Sequence, residues 1–199
     1  MTTPASAAAA TRGTYQEHLR VAEAGNAAAL RGDHQTALAR YREAIRLAVQ
    51  HRAPEVFFRC YMEATLESLE LMDEFASVIE YCDRAVAHYA EHPPAHDVAW
   101  LDLASIHQRK GAVLMKRGDH EAAREALEQA LAIGARHATV GARLELARLL
   151  HGWIARSFFV SRDRITQEQR RLHYFSVRQR RGPALVAQPF TADGGHGQA

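Results

Sequence analysis

The sequence predicts an all-α fold built from stacked helix pairs. Three observations carry this: a helix-favouring composition, a landmark pattern that recurs far along the chain, and prolines placed at the joints between helical runs. The 199 residues suffice for one compact domain or one short solenoid, and an apolar share of 47% is enough to bury a core. Much of that share is Ala and Leu, which prefer helix. Basic residues exceed acidic ones by two, which excludes a strong overall pull on nucleic acid or anionic lipid. Any such pull must be local.

The elements follow in order. The opening MTTPASAAAATRGT has no basic start and no strong apolar run, so residues 1–13 read as a disordered leader of a cytoplasmic chain, with no membrane segment. The run from Gly25 to His34, GNAAALRGDH, is followed by Ala37, Tyr41 and Ala44. The run from Gly111 to His120, GAVLMKRGDH, is followed at the same offsets by Ala123, Leu127 and Ala130. Gly25 and Gly111 allow a second helix to approach the first closely, while Gly32 and Gly118 suit the left-handed residue that ends a helix. Asp33 and Asp119 then stand where an N-cap is wanted. Between the copies lies a degenerate pair without glycines, with Met62, Leu66 and Leu69 before a turn at Met72 to Glu74, then Phe75, Val78, Cys82 and Ala85. Pro54, Pro93 and Pro94 supply the joints, since the residue before a proline is steered away from helix.

Downstream, Leu144, Ala147, Leu150 and Ile154 predict a helix from Ala138 to about Phe159, and a further helix runs from about Thr166 to Arg180. From Gly182 the chain loses periodicity. The organisation expected is a leader at 1–13, a helical repeat domain at 14–160, a basic helix at 161–182 and a disordered tail at 183–199.

The landmarks from Gly25 to Ala44 and from Gly111 to Ala130 resemble the tetratricopeptide family in its long-repeat form. The resemblance covers Tyr15 to Ala135 and weakens beyond. It implies a right-handed α-α superhelix of three to four helix pairs ending in a basic cap helix, and a protein-binding scaffold or adaptor rather than an enzyme. Its groove would be lined by the first helix of each pair, which places Asn26, Glu63, Glu67, Glu70, Gln108, Arg109 and Met115 towards a partner. Asn26 and Arg109 fall at two positions of the family's clamp for a chaperone's C-terminal carboxylate. Ala22, Ala64 and Ser105 stand where that clamp needs Lys or Asn, so chaperone-tail binding is rejected.

Glu63, Glu67 and Glu70 lie on one helical stripe and repel one another unless a cation meets them. A basic peptide or an Arg-bearing helix of a partner protein is one reading, and a solvated face the other. The C-terminal arginines Arg156, Arg162, Arg164, Arg170, Arg171, Arg178, Arg180 and Arg181, with Tyr174 and Phe175 among them, carry the alternatives. They cap the solenoid, recruit a partner, contact nucleic acid through guanidinium forks, or pair with the acidic groove of their own or another copy. An accessory subunit of an enzyme complex would look the same in sequence, and exposed Phe158 and Phe159 leave a homodimer open.

No catalytic residues are expected, for want of a phosphate loop, a His-Glu-x-x-His pattern or a nucleophile elbow. Nor is a cofactor expected. His88, His92 and His96 have helical spacing, but Pro93 and Pro94 break the helix and leave two ligands where zinc wants at least three, so no metal is predicted. Cys60 and Cys82 read as thiols in helical apolar patterns, not as a disulfide framework.

Overall fold

A computed structural model describes residues 4–158 and 160–178, with side chains described from Glu17 onward. The expected tail at 183–199, Phe159, Arg180 and Arg181 lie outside the described residues. Among those described, all regular structure is helical: α1 (Pro4–Leu30), α2 (His34–Gln50), α3 (Glu55–Leu71), α4 (Phe75–Glu91), α5 (Asp97–Arg117), α6 (His120–Arg136), the single turn α7 (Ala138–Gly141), α8 (Glu145–Ala155) and α9 (Arg162–Arg171). Helix α1 begins at Pro4, within the stretch expected to be a leader.

The two glycine landmarks act as their positions predict. A Cβ on Gly25 would lie 2.7 Å from the Tyr41 ring, and one on Gly111 would lie 2.6 Å from Leu127 Cγ. Only a residue without a side chain permits these crossings of α1 with α2 and α5 with α6. Ala37, Tyr41 and Ala44 in one pair, and Ala123, Leu127 and Ala130 in the other, are fully buried. The alanines keep the helices close and the larger residue fills the gap that remains.

One motif ends six helices. After α1, the N–H of Asp33 donates to Ala28 O at 3.0 Å and that of Gly32 to Ala29 O at 2.9 Å. This six-to-one and five-to-two pair recurs with Gly118 after α5, Asp73 after α3, Arg52 after α2, Ser157 after α8 and His173 after α9. Each of these residues has positive φ. Asp73 thus takes the left-handed role of the missing glycine in the degenerate pair, as a short polar side chain can. Caps at the following helices differ. Asp33 Oδ1 accepts from Thr36 N at 3.1 Å, whereas Asp119 makes no such cap because Arg117 holds its carboxylate.

The C-terminal third departs from the predicted boundaries. The expected helix from Ala138 to Phe159 is two pieces, because α7 crosses α6 with backbone against backbone: a Cβ on Gly141 would sit 2.6 Å from Gly134 O. The chain bends after this contact so that Leu144, Leu146, Ala147 and Leu150 enter the main core. The missing N-cap of α8 is supplied from a distance, by Gln108 Oε1 accepting from Ala147 N at 3.1 Å. Helix α9 begins at Arg162, at the start of the span expected for the basic helix and ahead of Thr166, where Ser161 Oγ accepts from Arg164 N at 3.3 Å; it ends at Arg171, not Arg180. The left-handed His173, φ 55°, turns residues 172–178 into a non-helical strap.

The thiols differ in reach. Burial pushes the Cys82 thiol up to about 12, while Cys60 is exposed and raised by partial burial and then by Glu63. A thiol reagent is therefore expected to label the native chain at Cys60 and to reach Cys82 only after unfolding, since the thiolate is the reactive form. Mass spectrometry before and after denaturation checks this; labelling of Cys82 in the folded chain would contradict it.

Candidate functional site

The glutamate stripe of α3 is not a free acidic face. Its three carboxylates are met by α5, by the end of α9 and by the strap. Glu70 is fully buried and is satisfied at both oxygens. Oε1 accepts from Lys116 Nζ at 2.8 Å and Gln169 Nε2 at 2.6 Å; Oε2 accepts from Arg109 Nη1 at 3.2 Å and the Tyr174 hydroxyl at 3.1 Å. A carboxylate offers about four lone-pair positions, and all four have donors here. Arg109 also reaches Glu63, and its guanidinium lies 5.0 Å from the centre of the Tyr174 ring.

Charge is balanced by position. Burial works against the Arg109 charge, but Glu63, Tyr174, Glu70 and Glu67 outweigh it and hold the guanidinium protonated. Burial holds the Tyr174 phenol well above its ordinary range, so the hydroxyl stays a donor to Glu70. Burying these ions is tolerable only because each is paired and hydrogen-bonded.

Glu67 has a different kind of partner. Its Oε1 accepts from the backbone N–H of Ser176 at 2.5 Å and its Oε2 from that of Val177 at 3.0 Å. Two consecutive amides of the strap are thus held by one carboxylate. Burial pushes the Glu67 carboxyl up, against the pull of Arg109 and of these two amides. The native chain therefore holds this proton more tightly than the unfolded chain, and acidification favours the native state at this residue. Relative to Glu67→Gln, the wild type is expected to gain stability as pH falls through the raised native value, the gain being complete below the unfolded value of 4.5. Urea midpoints of both chains from about pH 7 to about pH 4 read the difference, and parallel curves would refute it.

The strap leaves room on both sides. A cavity of about 490 Å³ lies between it, the α1–α2 turn and the end of α3, with Leu30, His34, Leu71, Arg170 and Phe175 in its wall. Another of about 520 Å³ lies between it, α5 and α8, with Leu101, Ser105, Arg143, Leu146 and Leu172 in its wall. A third cleft, about 390 Å³, opens where α3 and α4 touch sparsely; Phe58, Met62, Tyr81 and Ile106 line it.

Of the remaining predicted groove residues, Gln108 and Met115 are buried, while Asn26 stays exposed with one hydrogen bond within the chain. Asn26 Oδ1 accepts from the Tyr41 hydroxyl at 2.9 Å, Gln108 caps α8, and Met115 is 3% exposed in the core. So Glu63, Glu67, Glu70 and Arg109 form one cluster, while Asn26, Gln108 and Met115 hold helices together. Sequence reading did not find Lys116, Gln169, Ser176 and Val177. Lys116 alone left a signal, as the charge that with Arg117 closes the apolar run before Gly118.

The arginines are divided. Arg164 Nη2 and Arg171 Nε pair with the buried Glu168 at 2.8 and 2.5 Å. Arg162 donates to Lys116 O at 2.8 Å, pairs with Asp73 and lies over the Phe75 ring. Arg170 and Arg178 are exposed. His88 and His92 stack at 4.7 Å, while His96 Nδ1 instead caps α5, accepting from Ala99 N at 3.2 Å. Among the described residues no group of three or more His, Cys, Asp or Glu side chains converges as metal ligands, and no helix is long and apolar enough to cross a membrane. No protein-family profile, curated protein or solved structure matches the chain.

Proposed function

We propose that the chain is a tetratricopeptide-type helical-repeat scaffold, a right-handed superhelix of helix pairs, whose groove binds an extended peptide of a partner protein. The observation that carries this is the grip of Glu67 on two consecutive backbone amides of a non-helical segment, with cavities on either side. Backbone recognition of this kind suits a peptide, because it asks for main-chain donors and leaves side chains to select among sequences. The repeated glycine crossings support the scaffold part of the reading, since stacked helix pairs create long surfaces without built-in chemistry.

The partner need not be basic. Arg109 and Lys116 already answer the glutamates, so the attraction for a cationic ligand is smaller than the bare stripe implies. Nucleic-acid binding through the arginines is the second reading: Arg162, Arg164 and Arg171 pair with Asp73 and Glu168, which offsets part of their charge, yet more than half of each side chain stays exposed.

Ser105→Trp tests the groove. Ser105 is partly exposed and lines both the cavity between the strap and α5 and the cleft between α3 and α4, so the indole would take up space on this face. A partner retained by the wild type and lost from a folded Ser105→Trp chain is the expected result; equal retention of every captured protein would overturn the reading.

A further inference from the structure

We infer that residues 172–178 are a built-in occupant of a peptide site, and that the external ligand is an extended segment with two adjacent aromatic residues and no acidic neighbours, which binds by displacing this strap. The inference rests on the groove reading above and adds the ligand class and what controls access.

The contacts separate into a general grip and a selective one. Glu67 meets the strap through two main-chain N–H groups, which any extended segment without proline at those places can supply, and through the Ser176 side chain. Selection falls to the aromatic pair and, secondarily, to Val177, which packs against the cluster of Ala28, Ala37, Tyr41 and Ala64. The Tyr174 hydroxyl donates to Glu70 while its ring faces the Arg109 guanidinium, and Phe175 is 7% exposed with Lys116 Nζ 5.9 Å from its ring centre. Two fixed cations thus attend two neighbouring aromatic faces. An acidic residue beside them would meet Glu63 and Glu67, only part of whose charge Arg109 offsets, so acidic flanks are disfavoured.

Several features make the strap removable. It leaves the helical body at a strained joint, since His173 holds a left-handed φ of 55° without being glycine. The side chains of Ser176 and Arg178 are exposed, and the cavities beside the strap show a groove wider than its occupant. If the strap departed, Glu70 would keep Arg109, Lys116 and Gln169, so the helical body retains its central pairing. A site closed by its own strap has an apparent affinity reduced by the fraction of time it is open.

The test uses the full chain and a fluorescent synthetic peptide of sequence RRLHYFSVR, that of residues 170–178. The double variant Ser176→Pro and Val177→Pro removes both amide donors to Glu67 without replacing any of the buried charged groups. Its peptide affinity is expected to exceed that of the wild type by about tenfold or more. Adding Glu67→Gln, or replacing both aromatics of the peptide with Ala, should abolish the gain. Should the double variant lose its helical circular dichroism, Phe175→Ala serves as the released chain. Equal affinity for wild type and variant would overturn the built-in occupant while leaving the groove reading intact. No binding to either folded chain would overturn the inference as a whole, and capture by wild type against Ser105→Trp would then decide the groove reading separately.

Discussion

Replacing Glu70 with Ala is expected to cost about 3–5 kcal/mol of folding stability, the range for breaking a buried ion pair from one side. The reason is what remains behind. Arg109 and Lys116, each 5% exposed, would keep their charges without the carboxylate that both now face. Gln169 and Tyr174 would lose an acceptor as well, and a buried donor left unmade carries its own desolvation cost. Replacing Glu121 makes the contrast. It pairs with Arg124 on an exposed face, where solvent screens the interaction, and its loss should leave the unfolding midpoint in place. Urea titration monitored by circular dichroism reads both. A Glu70→Ala midpoint equal to that of Glu121→Ala would mean that the cluster does not hold α3, α5 and α9 together.

Leu127→Ala should be nearly as damaging, at about 2–5 kcal/mol, because a fully buried side chain leaves a cavity where α5 crosses α6. Gly111→Ala should cost about 1–3 kcal/mol by the opposite fault, overpacking, since its new methyl would meet Leu127 Cγ and Cδ2. The two faults occupy the same space, so the double variant should lose less than their sum. A double-mutant cycle by urea denaturation measures that coupling. Strict additivity would show that Gly111 is not there to admit Leu127, and the packing role assigned to the repeated glycine would fail.

The glycine landmarks were legible because their reasons are local. Gly32 and Gly118 each close a helix a few bonds from where they stand, and Gly25 and Gly111 sit at a constant offset from the residue they admit. The left-handed Asp73 was partly legible, as the turn between two apolar runs. Arg52, Ser157 and His173 were not, because Arg and Ser seldom take positive φ and His does so only modestly more often, and here the position comes with the hydrogen-bond pair that ends each helix. The break between α7 and α8 was hidden for a similar reason. Gly141 reads as a tolerable glycine in a helical pattern, and only contact with Gly134 of another helix makes it a crossing point.

The glutamate stripe separates the two kinds of information most clearly. Periodicity placed Glu63, Glu67 and Glu70 on one face of one helix, and electrostatics left a cation or plain solvent to meet them. Both statements follow from spacing alone. The donors come from residues 39 to 110 positions away, as the separations from Arg109 to Glu70 and from Val177 to Glu67 record. No periodic pattern encodes pairings at that distance; they depend on how α5, α9 and the strap are stacked against α3. Local pattern is enough for an all-helical chain with tight glycine crossings and an acidic stripe, and it leaves open what meets that stripe. Tertiary structure decided that the answer comes from within the same chain, because burial makes an unpaired carboxylate too costly to leave waiting for a partner.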